Sequence, residues 1–464
     1  MWSAVPGSVV SGVILALLLG MVRVLWNRRR VPTALSRRVR RGSYLRTVLA
    51  ESCRVGVGRL DVLAPRLTPA KGDELITKIQ SAWSKINRSG KVRVLTLDSD
   101  DCLQAGAELL RDDVEVRVAH RDLDSESLTF HLFESASPAD SQAIINHHHR
   151  GADKPNRIVG AAPVVPFRSH FDKQWKSARP LESVIAEMIL GRTGSHQDIE
   201  VVLGSLAQAR ATLSLDASST RRILPHLAFR NSSAVVFILG QPGAGKSHIR
   251  CLLAERLRSM RMECEAITDY PYAYLDLVRT ALRFSPPRKG YQPFDGGAFI
   301  AKDEAALAPA LRALAGAVRD GAQARDVTLV EFARAGLLTA LEEFESVRAR
   351  AQVIHVSAPD DLRLERLRNR VVPPEAIVTG EAVTLKLSDN HLLPAPAQQA
   401  LYAVDGIESL KESSLWRNRI FEIDNNCDGA GHVESDLDEF IRRIVGPYVP
   451  EDVETTSRQH LIAS

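Results

Sequence analysis

The segment GQPGAGKS, from Gly240 to Ser247, has the residue types and spacing of a phosphate-binding loop. It fits the pattern G-x-x-x-x-G-K-[ST] at every fixed position. Glycines let successive backbone N–H groups turn toward an anion, and the N-terminus of the next helix adds its dipole. Lys246 is expected to reach the β- and γ-phosphates of ATP or GTP, and Ser247 to offer its hydroxyl to Mg²⁺. The residues expected to contact the nucleotide are Gly240, Gln241, Pro242, Gly243, Ala244, Gly245, Lys246, Ser247 and His248.

Two carboxylates follow predicted strands in the same half of the chain. Glu331 ends the run VTLVE, and Asp269 follows a strand predicted from Cys264 to Thr268. Ligands of open α/β sheets bind at the carboxyl ends of the strands. We therefore expect Glu331 to hold Mg²⁺ or substrate, and Asp269 to align an acceptor hydroxyl and take its proton. The alternatives are an exposed glutamate at a strand end and an aspartate that begins a helix.

Two groups of arginines could act together with these carboxylates. One arginine closely follows Glu331 in the sequence, and others lie in a later predicted helix. Arg334 is three residues beyond Glu331, where it can pair with substrate or phosphate. The segment DLRLERLRNR places Arg366 and Arg370 four residues apart, on one face of a predicted helix. Arginines on a mobile lid clamp a transferring phosphate and stabilise charge in the transition state. A solvated charged helix is the alternative interpretation.

Residues 230–446 resemble the P-loop kinase group that includes nucleoside-kinase-like and zeta-toxin-like phosphotransferases. The resemblance also rests on PFDGGAF (293–299), LSDNH (387–391), Tyr402, Asp405 and IFEIDNN (420–426). It implies transfer of the γ-phosphate of ATP to a hydroxyl of a small molecule such as a nucleoside or a sugar. It also implies that Asp269 is the base, that Glu331 is a metal or substrate carboxylate, and that Arg366 and Arg370 belong to the lid.

The elements that must position these residues are short apolar strands alternating with helices. Apolar runs bounded by turn residues are typical of buried parallel strands. The predicted strands are Val235–Leu239, Cys264–Thr268, Val327–Val330, Val353–Val356 and Ile420–Ile423; helices are predicted at 246–260, 304–319, 336–349, 360–370 and 434–445. This pattern predicts a three-layer α/β P-loop NTPase domain with a parallel sheet over residues 219–446, followed by a C-terminal tail at 447–464.

Residues 71–215 predict a separate, small α/β domain. A helix is predicted over 71–89 and again over 103–110, 181–190 and 198–213, with strands at 92–97, 114–119, 128–133 and 143–146. Strands alternating with helices favour a largely parallel sheet. A phosphodiesterase of the HxKxxxxD type needs a lysine two residues after its histidine, and His131 is followed there by Phe133. We interpret this domain as a sensor or interaction module.

The N-terminus carries a segment typical of a transmembrane signal anchor. The stretch from Val9 to Val22 has no charged residue, and about 20 apolar residues span a bilayer core. A cleaved secretory signal carries its positive charge before the apolar run, not after it. Here the charges follow, as Arg23, Arg28, Arg29, Arg30, Arg37, Arg38, Arg40 and Arg41. The sequence therefore predicts a single-pass anchor at 1–26, a basic juxtamembrane linker at 27–70, and cytoplasmic domains beyond it. A buried core helix is the alternative.

The composition of the chain limits the classes of protein to which it can belong. The chain has 464 residues with 45% hydrophobic and 25% charged residues, as in globular proteins. Its net charge of +4 gives no support for a chain built to coat nucleic acid. Its five cysteines are scattered with no CxxC pair, so the sequence indicates neither a zinc knuckle nor a disulfide framework.

Three functions remain open on the sequence. The first is a membrane-anchored kinase that uses ATP and Mg²⁺ on a small-molecule hydroxyl. The second is an ATP-dependent switch that needs only the loop, Mg²⁺ and Glu331, with the N-terminal domain as its sensor. The third is a kinase for nucleic-acid ends, which the modest charge and the lack of an aromatic–basic groove make least attractive.

The anchor generates the first prediction. The full-length protein should fractionate with membranes and stay there during alkaline carbonate extraction, because the apolar run is long enough to cross the bilayer. A fragment that begins near residue 71 should be soluble. Release of the full-length chain by carbonate would show that residues 1–26 do not span the membrane.

Overall fold

The computed structural model describes residues 36–38, 44–65, 67, 69, 73–119, 128–147, 156–191, 196–281, 290–293, 299–301, 304–370, 372, 375–379, 382–387, 405–426, 430–450 and 453. The chain divides into two compact units, Met1–Leu181 and Glu182–Ser464. Each unit is built around its own sheet. The chain is therefore a mixed α/β protein with two separate cores.

The N-terminal unit contains one eight-stranded sheet. Its strands are β1 Ser36–Arg38, β2 Val57–Leu63, β3 Lys91–Leu97, β4 Glu115–Ala119, β5 Leu128–Ser135, β6 Gln142–His147, β7 Asn156–Val159 and β8 Arg179–Pro180. Its helices are α1 Tyr44–Ser52, α2 Glu74–Ser89, α3 Asp100–Leu110 and α4 Ala161–Ser177, with a 3₁₀ turn at Pro138–Asp140. The strand order is β1-β7-β6-β5-β2-β3-β4-β8.

The sheet of this unit is mixed, and the prediction of a largely parallel sheet is wrong there. Only β2, β3 and β4 pair in parallel, through the crossover helices α2 and α3. Strands β5, β6 and β7 pair antiparallel with their neighbours. The connection from β5 to β6 is too short for a crossover helix, and antiparallel pairing is the arrangement that a short connection allows.

The region predicted as a linker, 27–70, is also corrected by the structure. It contains β1, α1 and β2, and β2 lies in the middle of the sheet between β5 and β3. Charged residues inside β2 hide it from a search for apolar runs. Asp61 is fully buried and binds Arg93 through two hydrogen bonds of 2.7 and 2.9 Å. A fragment that begins at residue 71 would lose this central strand, so a soluble fragment must begin before Ser36.

His131, the histidine considered above for a phosphodiesterase, is a core residue. It is 5% exposed, and its Nδ1 lies 2.9 Å from the hydroxyl of Tyr44. Its ring packs against Trp83 and Phe133. Burial lowers the pKa of His131 to about 3, so the ring is neutral at physiological pH. These contacts give it a packing role.

The predicted anchor at 1–26 lies outside the described residues. Within the part of the chain that the structure describes, no helix combines the length and the apolar character needed to cross a bilayer.

The second unit contains a five-stranded sheet and two small hairpins. Its strands are β9 Val235–Leu239, β10 Cys264–Thr268, β11 Tyr291–Pro293, β12 Phe299–Ala301, β13 Val327–Glu331, β14 Ala351–Ser357, β15 Glu375–Thr379, β16 Ala382–Lys386 and β17 Ile420–Asp424. Its helices are α5 Leu181–Ile189 at the boundary, α6 Ile199–Leu213, α7 Ala217–Ser232, α8 Lys246–Ser259, α9 Tyr270–Ala281, α10 Glu304–Ala324, α11 Leu337–Glu342, α12 Asp360–Arg368, α13 Ile407–Glu412 and α14 Ala430–Val445. Short 3₁₀ turns lie at Glu345–Arg350, Arg417–Arg419 and Gly446–Tyr448.

The five strands predicted for this unit form one all-parallel sheet in the order β10-β13-β9-β14-β17. The register aligns their carboxyl ends. Thr268 pairs with Glu331, Glu331 pairs with Ile238, and His355 pairs with Leu239. The residues that follow these strands therefore meet at one edge of the sheet. The unit begins at Glu182, earlier than the predicted boundary at 219, because helices α5 to α7 belong to it.

An aromatic cluster fixes the end of β13 beneath this edge. The ring centroid of Phe237 lies 4.9 Å from that of Phe344 and 6.0 Å from that of Phe332. Trp416 contacts Phe237 at 6.2 Å. Edge-to-face packing of this kind stabilises a core beyond the area that it buries. Because Phe332 directly follows Glu331, the cluster holds the backbone that carries Glu331.

A buried aspartate holds the opposite end of the sheet. Asp326 accepts hydrogen bonds from His226 Nδ1 (2.9 Å), Arg230 Nε (2.5 Å), Ser183 Oγ (2.7 Å) and the backbone N–H of Glu263 (2.9 Å). Burial alone would raise the pKa of Asp326, but its neighbours His226 and Arg230 hold that pKa well below its usual range. One carboxylate thus ties α5 and α7 to the starts of β10 and β13.

This network generates the second prediction. Asp326→Ala should lower the free energy of unfolding of this unit by about 3–5 kcal/mol, because it leaves Arg230 buried without a counter-charge. The stabilisation is present above the ordinary aspartate pKa of about 3.9 and is lost as the pH falls toward the lower folded-state pKa. Denaturant unfolding at neutral pH measures the change.

The matched control is Asp438→Ala. Asp438 forms a bidentate pair with Arg256, but both side chains are partly exposed. Its removal should cost about 1 kcal/mol or less. Equal losses in the two variants would show that burial gives Asp326 no special role.

Candidate functional site

The segment Gly240–Ser247 forms a tight loop between β9 and α8, as the sequence predicts. Gly240 has φ of 138° and Gly245 has φ of 98°, a region that favours glycine. A Cβ on Gly240 would lie 2.2 Å from the carbonyl oxygen of Val356, and one on Gly245 would lie 2.1 Å from Nδ2 of Asn425. Both glycines are therefore required by the backbone conformation and by the space around them.

Lys246 is buried inside this loop. Its side chain nitrogen donates to the carbonyl oxygens of Gly240 (2.8 Å) and Gln241 (3.1 Å), and the residue is 7% exposed. Burial lowers the pKa of Lys246 to about 8, while the negative charges of Glu331, Asp269 and Asp405 oppose that shift. Arg370, at the end of the arginine segment, acts in the same direction as burial. Charged residues from four separate segments thus act electrostatically on one ammonium group.

Glu331 lies beside Ser247, the two residues for which the sequence predicts a shared Mg²⁺ site. Its Oε1 accepts a hydrogen bond of 2.8 Å from the Ser247 hydroxyl. Its Oε2 lies 3.0 Å from Nε of Arg250, one turn along α8. Mg²⁺ prefers oxygen ligands and keeps few protein ligands when phosphates supply the rest. A hydroxyl and a carboxylate oxygen at this distance fit such an ion. Among the described residues, no group of three or more His, Cys, Asp or Glu side chains is arranged to hold a metal ion.

Asp269 and Arg334 form an ion pair next to Glu331. Nη1 of Arg334 lies 2.5 Å from Oδ2 of Asp269 and donates also to the carbonyl oxygen of Ala333. The backbone N–H of Asp269 donates to the carbonyl oxygen of Glu331 at 3.1 Å. The carbonyl oxygen of Asp269 also accepts the first backbone hydrogen bonds of α9. The structure therefore places Asp269 at the site, with its carboxylate held by Arg334.

The arginine helix packs against the loop. Arg366 donates from Nη1 to the carbonyl oxygens of Gly243 and Ala244, both at 3.3 Å, and from Nη2 to that of Asn425 at 3.4 Å. Asn425, at the end of β17, donates from Nδ2 to Ala244 at 2.8 Å. These contacts bring the carboxyl end of β17 and helix α12 onto the loop.

The remaining loop residues differ in exposure. Pro242 and Ala244 are buried, whereas His248 is exposed in the first turn of α8. The sequence motifs do not single out three contributors to the site, namely Arg250, Asn425 and His355, although Asn425 lies within IFEIDNN (420–426). Arg250 lies three residues after Ser247 and could be found from helical spacing. Asn425 and His355 carry no such local signal, because their partners lie far away in the sequence.

No protein-family model matches this chain, and no curated protein is significantly similar to it. Nuc, a phospholipase D family member from Salmonella typhimurium, is 10% identical over 31% of this chain and 95% of that chain, with a TM-score of 0.21. TrmBL2, an archaeal chromatin protein with a novel mode of DNA binding, is 13% identical over 37% of this chain and 65% of that chain, with a TM-score of 0.24. Likenesses of this size carry no argument about this chain's activity.

Proposed function

We propose that Gly240–Ser247 binds the phosphates of ATP with Mg²⁺, and that the unit Glu182–Ser464 is a P-loop phosphotransferase. The observation that carries the proposal is the environment of Lys246. A buried ammonium that, among the described residues, donates to two backbone carbonyls is stabilised by carboxylates at the carboxyl edge of a parallel sheet. This edge is where ligands of open α/β sheets bind. Phosphate oxygens would replace the carbonyls as partners of the ammonium.

The proposed reaction moves the γ-phosphate to the hydroxyl of a small molecule. The hydroxyl oxygen attacks the γ-phosphorus and gives its proton to a carboxylate of the site, while the bond to the oxygen bridging β and γ breaks and ADP leaves. When bound, Mg²⁺ neutralises charge on the phosphates. Ser247 and Glu331 would hold it. Lys246, Arg366 and Arg370 would stabilise negative charge on the phosphates, and the Asp269–Arg334 pair would align the acceptor hydroxyl.

An ATP-dependent switch is the second candidate, and one contact favours it. The carboxylate of Asp269 is already bound by Arg334 at 2.5 Å, an arrangement that needs no acceptor. In that function the nucleotide state would control partner binding, with the N-terminal unit as the sensor. Acceptor-stimulated turnover separates the two candidates.

We also propose that residues 1–26 anchor the protein in the cell membrane, with both units on the cytoplasmic side. The apolar run and the arginines after it support this proposal. Nucleotide and a small-molecule acceptor are then the ligands of the second unit, and the bilayer is the partner of the N-terminus.

The third prediction tests nucleotide binding. Lys246→Ala removes a charge-assisted contact that contributes roughly 1.5–3 kcal/mol. The affinity for MgATP should fall at least about tenfold, since 1.4 kcal/mol corresponds to that factor. Isothermal titration calorimetry of the full chain measures this affinity. Lys411→Ala is the control, because Lys411 pairs with Glu408 and Glu422 on the surface. Unchanged affinity for MgATP in a folded Lys246→Ala protein would show that the loop has a structural role and not a nucleotide-binding one.

The fourth prediction separates kinase from switch. Asp269→Asn keeps the side-chain shape but removes the charge that binds Arg334. In a kinase, turnover with acceptor should fall by roughly 10²-fold or more, the range for a group that aligns or deprotonates a nucleophile. The affinity for MgATP should stay within a factor of about three, because the loop contacts are untouched.

Arg366→Ala provides the contrast to this variant. Since Arg366 binds the loop carbonyls, its removal should weaken both nucleotide binding and turnover. In a switch, Asp269→Asn would leave binding and slow hydrolysis intact, and no compound from a panel of nucleosides and sugars would stimulate turnover. Equal losses of binding and turnover in Asp269→Asn would contradict the role of this residue in acceptor alignment.

A further inference from the structure

Three carboxylates are close enough to Lys246 to stabilise its charge, and two of them already have an arginine partner. Glu331 pairs with Arg250 at 3.0 Å, and Asp269 pairs with Arg334 at 2.5 Å. The third is Asp405, which lies just before α13. Its partners are different in kind, and this difference decides which carboxylate can receive a proton.

Asp405 is held by a histidine and by a backbone amide. Its Oδ2 lies 2.8 Å from Nε2 of His355, and its Oδ1 accepts from the N–H of Ile407 at 3.3 Å. Within the described part of the chain, no lysine or arginine forms an ion pair with it. The side chain of His355 is 7% exposed, whereas that of Asp405 is 27% exposed. The histidine is thus the more buried partner, and part of the carboxylate remains exposed.

The fold brings this pair to the phosphate loop. His355 lies on β14 beside Leu239, the last residue of β9, and Val356 touches Gly240 through its carbonyl oxygen. Gly406 packs so closely on the carbonyl oxygen of Ala335 that a Cβ would come within 2.2 Å. Ala335 directly follows Arg334. The segment that carries Asp405 therefore connects the ends of β13 and β14 across the start of the loop.

The charge on Asp405 is maintained by its neighbours. Burial would raise the pKa of Asp405, but the hydrogen bond from His355, the N–H of Ile407 and the ammonium of Lys246 bring that pKa below its ordinary value. The carboxylate is thus ionised at neutral pH and can accept a proton from a bound nucleophile.

A proton on either arginine-paired carboxylate would have a high cost. It would leave Arg250 or Arg334 without its counter-charge, and Arg334 is 8% exposed. Breaking a buried ion pair by neutralising one partner is strongly destabilising, because it leaves an uncompensated buried charge. His355 can donate a hydrogen bond as a neutral imidazole, so protonation of Asp405 leaves no isolated charge. Asp405 is therefore the carboxylate of the three whose protonation leaves no arginine without its counter-charge.

We propose that Asp405 is a catalytic residue that accepts the proton of the attacking hydroxyl or water, and that His355 is its positioning residue. This inference rests on the proposed phosphotransferase. The nucleophile's oxygen forms the bond to the γ-phosphorus, ADP leaves with the electrons of the broken P–O bond, and the O–H proton moves to Asp405. Asp269 then aligns the nucleophile with Arg334 and keeps its charge.

The test uses the full chain with γ-labelled MgATP, and water as the nucleophile. Asp405→Ala should bind MgATP as the wild type does but release labelled phosphate roughly 10²-fold more slowly, the lower end for a general base. Added formate should restore at least part of the rate, because a small carboxylate can enter the space left by the side chain. Asp405→Asn keeps the shape and should be as slow, without rescue.

Two further variants complete the design. His355→Phe removes the donor and should lower the turnover rate while leaving MgATP affinity unchanged, and His355→Gln, which retains an N–H donor, should recover much of the loss. Asp424→Ala is the control, because Asp424 is an exposed aspartate at the end of the neighbouring β17.

The outcomes are distinguishable. A rate for Asp405→Asn within about threefold of the wild type, or no formate rescue of Asp405→Ala, would overturn the role of Asp405 while leaving nucleotide binding in place. Wild-type protein that binds MgATP but shows no turnover would overturn it as well. Wild-type protein that does not bind MgATP would remove the proposed function on which the inference rests.

Discussion

The buried ammonium of Lys246 sets the main physical constraint on the second unit. A charged group out of water must be bonded and compensated, and here two carbonyl oxygens of its own loop bond it. The carbonyls can point inward only because glycines give the loop its conformation. Carboxylates on three segments, which the parallel sheet brings together, compensate the positive charge of Lys246. The loop, the sheet register and the charge pattern are thus consequences of one requirement.

The sheet of this unit was largely predictable from the sequence. Its strands are short apolar runs between turn residues, and such runs report burial on both faces. The end of β13 at Glu331 and the start of α8 at Lys246 follow from local patterns alone. The strand order and the contact of Arg366 with the loop did not follow, because they depend on tertiary packing between segments about 120 residues apart.

Prediction failed where charged residues are buried. In β2, Arg59 and Asp61 interrupt the apolar pattern, yet the strand lies at the centre of its sheet because Arg93 binds Asp61. The pair His355–Asp405 spans 50 residues and has no local signal. Sequence patterns report which segments avoid water. They do not report which distant charge makes the burial of a polar side chain tolerable.

The two outer strands of the parallel sheet have a consequence for self-association. β10 and β17 each carry an exposed glutamate near the middle, Glu265 and Glu422. Unpaired strand edges attract further strands, and charged side chains on an edge discourage this pairing. Lys411 lies 2.5 Å from Glu422 and adds a second charged group there. The sheet is therefore protected at both margins against the edge-to-edge stacking through which parallel sheets aggregate.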